Sequence, residues 1–231
     1  MEKWHWLFVY ILFGFLTILS TFPVAAQTNI PWTVEGRKQR VVELRQQYKT
    51  SPTPDTLRVL AMVESVVAAD NMTRVSVENA NKVLERASKA FPSDYELMAA
   101  RGSVLTMLAN FETLTAKQLR YVKKGTRLMD RALKKDPDNI GARLQRGNNS
   151  LNLPPFLSRA HYAKRDFQYL LKKVGDQKGA EFKAMALFKL GLAHHLMKEP
   201  KQAKQFWNQA VTLNTAVWSN EAKQQLQLTQ Q

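Results

Sequence analysis

The feature of this sequence that most constrains its fold is the spacing of small and large apolar residues between residues 184 and 213. Leu190 and Gly191 lie in one predicted helix, and Ala203 and Trp207 lie in the next. Small side chains allow two helices to cross closely, and a large ring fills the groove beside the crossing. The segment is therefore predicted to form a tightly packed pair of helices.

Weaker copies of this spacing precede the segment. Gly follows Arg in two predicted first helices, at Arg101 and Gly102 and, 45 residues later, at Arg146 and Gly147. The earliest copy is predicted to begin at Asp55, a suitable N-cap residue. Adjacent imperfect matches in a consistent order indicate a repeat architecture.

This spacing resembles the tetratricopeptide repeat, a two-helix motif of about 34 residues. His194 stands at the usual tyrosine of the motif, whereas Thr215 stands where proline is usual. The resemblance covers residues 55–215, with one strong copy and three imperfect ones. It implies an all-α, right-handed α-solenoid of about four helical hairpins. A helix over residues 216–228 is expected to cap its C-terminal end.

Residues 1–26 are predicted to be a secretory signal peptide. Lys3 supplies a positive charge, residues 4–19 are an almost unbroken apolar run, and residues 24–26 offer a cleavage site. An uncleaved anchor is the alternative, although the run is shorter than the roughly 20 apolar residues that span a bilayer. The protein is expected to be periplasmic or secreted after cleavage, and anchored in the inner membrane if the signal stays.

The remainder divides into two predicted parts. Residues 27–54 form an N-terminal extension with one helix, followed by a proline-containing hinge, and residues 55–231 form the repeat domain. The chain has no cysteine, which excludes disulfides and thiolate metal sites.

The sequence contains no pattern typical of an enzyme. Of its four histidines, His194 and His195 are neighbours on one predicted helix and point about 100° apart, which is poor geometry for a shared metal. No glycine-rich phosphate loop or nucleophile elbow occurs. We therefore predict a protein without catalytic activity, metal or cofactor.

The chain is strongly basic, with a net charge of +15. The surplus is concentrated in residues 93–180, which contain 17 Lys and Arg against 8 Asp and Glu. Export argues against nucleic acid as the partner, and leaves acidic proteins, anionic lipid headgroups and cell-wall glycans. The oligomeric state does not follow from the sequence.

Six basic residues recur at intervals of three and four along one predicted second helix, and we call them the basic stripe. They are Lys117, Arg120, Lys124, Arg127, Arg131 and Lys134. In a tetratricopeptide array the second helices form the convex wall, so the resemblance places the stripe outside. Its two interpretations are a solvated helix face and an electrostatic docking strip.

First helices line the concave groove of such an array, and this register assigns seven residues to the groove. They are Arg101, Arg146, Asn148, Asn152, Phe188, Leu192 and His195. The asparagines either orient an extended peptide or satisfy the helix end near Pro154. The two arginines either meet a ligand acid or pair with a buried carboxylate.

A long proline-containing loop offers a second candidate site, with Arg159, His161 and Tyr162. Taken together, the sequence predicts an exported, non-enzymatic adaptor that binds an envelope protein or peptide in the groove. The alternative is a carrier or tether for anionic lipid or cell-wall polymer that uses the basic stripe.

Overall fold

The computed structural model describes residues 30–229, so the predicted signal peptide lies outside the described residues. Within this range the chain forms ten α-helices and no β-strand. No helix in the same range is long and apolar enough to cross a membrane. The helices are α1 (Val34–Thr50), α2 (Pro54–Asn71), α3 (Arg74–Ala90), α4 (Tyr95–Leu108), α5 (Thr115–Lys135), α6 (Ile140–Asn152), α7 (Ala160–Val174), α8 (Ala180–Leu196), α9 (Pro200–Thr212) and α10 (Trp218–Leu228).

Polar side chains determine where several helices begin. Thr53, Asp94 and Asn139 each accept a hydrogen bond from a backbone N–H in the first turn of α2, α4 and α6, which is the role of an N-cap residue. The N-cap of the first repeat is therefore Thr53 and not the predicted Asp55, and Pro54 follows it because proline suits the first helical position.

The helices pair into four consecutive hairpins, α2 with α3, α4 with α5, α6 with α7 and α8 with α9. Each second helix also packs on the first helix of the next hairpin, and successive first helices lie side by side. This nearest-neighbour pattern is that of an α-solenoid. The predicted all-α repeat architecture is confirmed.

Glycines mark the closest contacts between paired helices. A Cβ atom on Gly191 would collide with the indole ring of Trp207. Trp207 is fully buried and donates a hydrogen bond from Nε1 to the carbonyl oxygen of Phe188 over 3.2 Å. In the second hairpin, the backbones of Gly102 and Gly125 approach so closely that neither position has room for a side chain.

The two ends of the solenoid are covered by single helices. Val41 and Leu44 of α1 are buried against α2, so the boundary predicted at residue 55 separates two helices that share one core. At the other end, α10 packs on α8 and α9. Glu181 of α8 accepts hydrogen bonds from the backbone N–H groups of Val217 and Trp218, over 3.2 and 3.0 Å, and so fixes the start of α10.

Candidate functional site

Arg146 is buried and does not line the predicted groove. Its guanidinium group donates to both carboxylate oxygens of Asp166 on α7, each over 2.8 Å. Asp166 is fully buried and also accepts from Arg143 over 3.0 Å. Burial alone lowers the pKa of Arg146, but the carboxylates of Asp166 and Asp130 outweigh it, so the net pKa is raised. The sequence allowed a buried ion pair or a groove contact, and the ion pair is present.

The same network fastens the long loop to the second hairpin. Arg159 donates two hydrogen bonds of 3.0 Å to Asp130 of α5. The ring of Tyr162 lies against three guanidinium groups. Its centroid is 3.8 Å from Cζ of Arg159, 4.8 Å from Cζ of Arg165 and 5.0 Å from Cζ of Arg146. Tyr162 therefore packs inside the arginine network, and the prediction that it contacts a partner is not supported by its position.

Arg101 also points toward a second helix. Its guanidinium group lies 3.5 Å from Glu85 of α3. Its Nε atom is buried and has no hydrogen-bond partner among the described residues. The groove positions predicted for both arginines are thus corrected, because each guanidinium group meets a carboxylate of a second helix, Glu85 on α3 for Arg101 and Asp166 on α7 for Arg146.

The two predicted asparagines are linked by one hydrogen bond, from the side chain of Asn152 to the backbone of Asn148. Asn152 is exposed and donates to the backbone carbonyl oxygen of Asn148, which favours the helix-end interpretation. The side-chain amide that connects the neighbouring first helices α6 and α4 belongs to Asn149, whose Nδ2 donates a hydrogen bond to the hydroxyl of Thr106. The sequence analysis missed Asn149, although it directly follows Asn148.

The three candidates on α8 have different surroundings. Phe188 is 6% exposed, and its ring lies 5.5 Å from that of Trp218. It belongs to the core because α10 covers it, which corrects its predicted place in the groove. Leu192 is half-buried, and His195 is exposed with its ring 5.8 Å from Trp207. Only these two remain accessible to a partner.

A cavity of about 290 Å³ lies where the ends of α6 and α8 meet the long loop. Its lining residues are Ser150, Leu153, Pro155, Ser158, Arg159, Ala160, His161, Leu196 and Met197. The cavity joins two regions that the sequence analysis treated separately, the predicted loop site and the end of the groove. We call it the α6–α8 cavity.

The α6–α8 cavity combines apolar walls with a few polar groups. Leu153, Leu196 and Met197 supply apolar surface. Ser150 is 2% exposed, and its hydroxyl has no hydrogen-bond partner among the described residues. Such a composition suits an apolar side chain that carries or accompanies a hydrogen-bonding group. Phe156 directly follows the lining residue Pro155 on the same loop and is 76% exposed.

Other possible binding or catalytic sites among the described residues have fewer suitable groups. A wider depression of about 400 Å³ runs along α1, but a single helix lines it and it has no opposing wall. Among residues 30–229 no group of three or more His, Asp or Glu side chains is placed to hold a metal ion. His194 is buried, stacks on Phe206 and hydrogen-bonds to Glu199, as expected for a packing residue.

The basic stripe lies along α5, and all six of its residues are exposed. Gly125, Met129 and Ala132 of the same helix are buried on its opposite side. The basic and buried residues of α5 therefore lie on different faces of the helix.

Comparison with solved structures supports the fold. A thermophilic TPR protein from Thermus thermophilus matches with a TM-score of 0.64 and 13% identity, over 84% of this chain and 92% of that one. At this identity the likeness establishes a shared fold only. The chain therefore has a tetratricopeptide-repeat fold.

Two further solved structures match less closely. MamA AMB-1 gives a TM-score of 0.46 at 16% identity, over 77% of this chain and 89% of that one. MamA MSR-1 gives 0.44 at 15% identity, over 78% and 91%. No family model matches the sequence, and no protein of curated function matches it.

Proposed function

We propose that this protein is a non-enzymatic adaptor of the bacterial cell envelope that binds a protein or peptide partner at the α6–α8 cavity. The observation that carries the proposal is the cavity itself. It lies between two neighbouring first helices and has apolar walls, and one of its lining residues is Ser150, whose buried hydroxyl has no hydrogen-bond partner among the described residues. In a tetratricopeptide fold, first helices commonly form the surface that a peptide contacts.

The proposed partner inserts one apolar side chain between Leu196 and Met197 while its backbone bonds to polar groups at the edge. His161 lines the cavity, is exposed, and forms no side-chain hydrogen bond with a described residue. Phe156, on the same loop, is also exposed. Large exposed apolar groups next to a cavity are typical of interaction sites. The envelope location rests on the apolar run and cleavage pattern of residues 1–26.

Site-specific photocrosslinking in an exporting bacterium tests this proposal. A photoreactive amino acid at His161 is expected to yield a discrete crosslinked protein, whereas the same group at Gln202, exposed on α9, is not. Phe156→Ser should reduce the product at least severalfold. Val75→Ser is the matched control, since Val75 is 67% exposed on the distant helix α3.

Two results would overturn the assignment. One is the absence of any protein crosslinked from His161, and the other is the same product from His161 and Gln202. Equal effects of Phe156→Ser and Val75→Ser would show that general surface hydrophobicity, and not this cavity, retains the partner.

A further inference from the structure

Within the four hairpins, the positive charge is concentrated on the second helices. From their sequences, α3, α5, α7 and α9 carry net charges of +2, +7, +3 and +2. The first helices α2, α4, α6 and α8 carry −2, 0, +2 and +1. One wall of the solenoid is therefore far more basic than the other, and α5 dominates it.

The charge of α5 is largely uncompensated. The helix contains eight Lys and Arg residues and one acidic residue, Asp130. Asp130 is engaged by Arg159 and Arg146 from neighbouring elements. In the basic stripe, only Lys117 lies near a described carboxylate, at 3.9 Å from Glu112. Most other arginines of the described chain have closer partners, such as Arg37 with Asp70 at 2.7 Å.

Apolar side chains lie beside the start of the basic stripe. Leu114 is 58% exposed and Leu119 is 39% exposed. Leu114 occupies the N-cap position of α5 and makes no capping hydrogen bond. Leucine is a poor residue for that position, where Ser, Thr, Asp or Asn is favoured. An exposed leucine that weakens its own helix start is typical of a residue retained for a contact.

We propose that the α5 surface, formed by the basic stripe with Leu114 and Leu119, binds an anionic phospholipid bilayer. The helix lies in the plane of the membrane, its cations meet lipid phosphates, and the two leucines enter the edge of the acyl region. The stripe extends over about 25 Å at 1.5 Å per residue, so several headgroups are contacted together. A soluble cell-wall polymer would satisfy the cations but leave the leucines without a contact.

This surface is separate from the site of the proposed function. The α6–α8 cavity is formed by first helices and a loop, whereas the α5 surface belongs to a second helix. A protein with both sites would hold its partner at a membrane. Neither proposal depends on the other.

Vesicle sedimentation tests the inference. We would use the chain from Gln27 onward, which keeps every described residue, and the full chain beside it. The vesicles are phosphatidylcholine with about one third phosphatidylglycerol, and pure phosphatidylcholine measures any contribution of the apolar run at residues 4–19. The chain from Gln27 onward is expected to bind only the anionic vesicles, and its binding is expected to fall steeply between low and physiological salt.

Charge reversal locates the surface. Lys124→Glu, Arg127→Glu and Arg131→Glu together should weaken binding at least about a hundredfold, since each basic residue near an acidic membrane contributes about fivefold. The control reverses Lys201, Lys204 and Lys223, which are equally exposed and give the same net charge. Circular dichroism of both triple variants checks that they remain folded.

The leucines distinguish a membrane from another polyanion. Leu114→Ser with Leu119→Ser should weaken vesicle binding about tenfold or more and leave binding to soluble polyphosphate unchanged. Equal losses of vesicle binding in the two charge-reversed triple variants would overturn the assignment to α5. Binding to polyphosphate but not to anionic vesicles would overturn the membrane as the occupant, and salt-independent binding would overturn the electrostatic mechanism.

Discussion

At the scale of single residues, the two Arg-Gly pairs differ in the carboxylate that each arginine meets. Asp166 precedes the buried Phe167 on α7 and pairs with Arg146. The equivalent residue on α5 precedes Met129 and is Leu128. Arg101 therefore has only the more distant Glu85, at 3.5 Å. An acid at this position of a second helix is a sequence signal that would have identified Arg146 as a core residue.

Removing the central carboxylate should destabilise the protein strongly. Asp166→Asn leaves Arg143 and Arg146 without their buried counter-charge, and breaking a buried pair costs about 3–5 kcal/mol. Urea unfolding measures the change. Asp176→Asn is the control, because Asp176 is 86% exposed in its pair with Lys183 and such pairs contribute about 0–1 kcal/mol. Similar costs for both variants would contradict the ion-pair assignment.

The contact between His194 and Glu199 should make stability depend on pH. The hydrogen bond from His194 lowers the pKa of Glu199, and Lys164 lowers it further. Because the folded pKa lies below the unfolded one, this stabilisation is present above the unfolded pKa and is lost as the pH falls through the folded pKa. Glu199→Gln should thus destabilise more at pH 7 than in acid, as measured by urea unfolding at each pH. A cost that does not change with pH would contradict this coupling.

At the scale of elements, the sequence predicted helices better than the contacts at their ends. The spacing of glycines and small residues is local and predicted an array of about four hairpins. The α6–α8 cavity was not predicted, because it depends on how neighbouring first helices lie side by side. Ser150 and Met197 are far apart in sequence, and no periodic pattern connects them.

The start of α5 should become more stable when its leucine is replaced. Leu114→Ser places a favoured N-cap residue where no capping hydrogen bond exists, and such caps contribute about 1 kcal/mol. Little burial is lost, since Leu114 is already 58% exposed. The free energy of unfolding should therefore rise, while binding to anionic vesicles falls. A variant that lost both stability and membrane binding would indicate that Leu114 supports the fold.

At the scale of the whole molecule, the chain is a row of helices in which each hairpin mainly contacts its neighbours. Such a structure has two ends, and each needs a cover for its apolar surface. The C-terminal cover was predicted, as a helix over residues 216–228. The N-terminal cover was not, because the prolines at positions 52 and 54 suggested a hinge between α1 and the repeats. The burial of Val41 and Leu44 against α2 determines the position of α1, and the prolines between the two helices do not prevent this contact.

Removing α10 should loosen the C-terminal hairpin without affecting the first one. Truncation after Thr215 exposes Phe188 and removes its contact with Trp218, at a cost of about 2 kcal/mol for one large apolar side chain. Amide hydrogen exchange in α8 and α9 should then become about thirtyfold faster. In α2 and α3 the exchange rates should stay unchanged. Stability in a solenoid is transmitted between adjacent repeats, and the first hairpin is not adjacent to the last. Mass spectrometry of peptides from each helix measures the exchange rates at the two ends of the chain. An equal acceleration of exchange along the chain would mean that the molecule unfolds as one unit, contrary to this prediction.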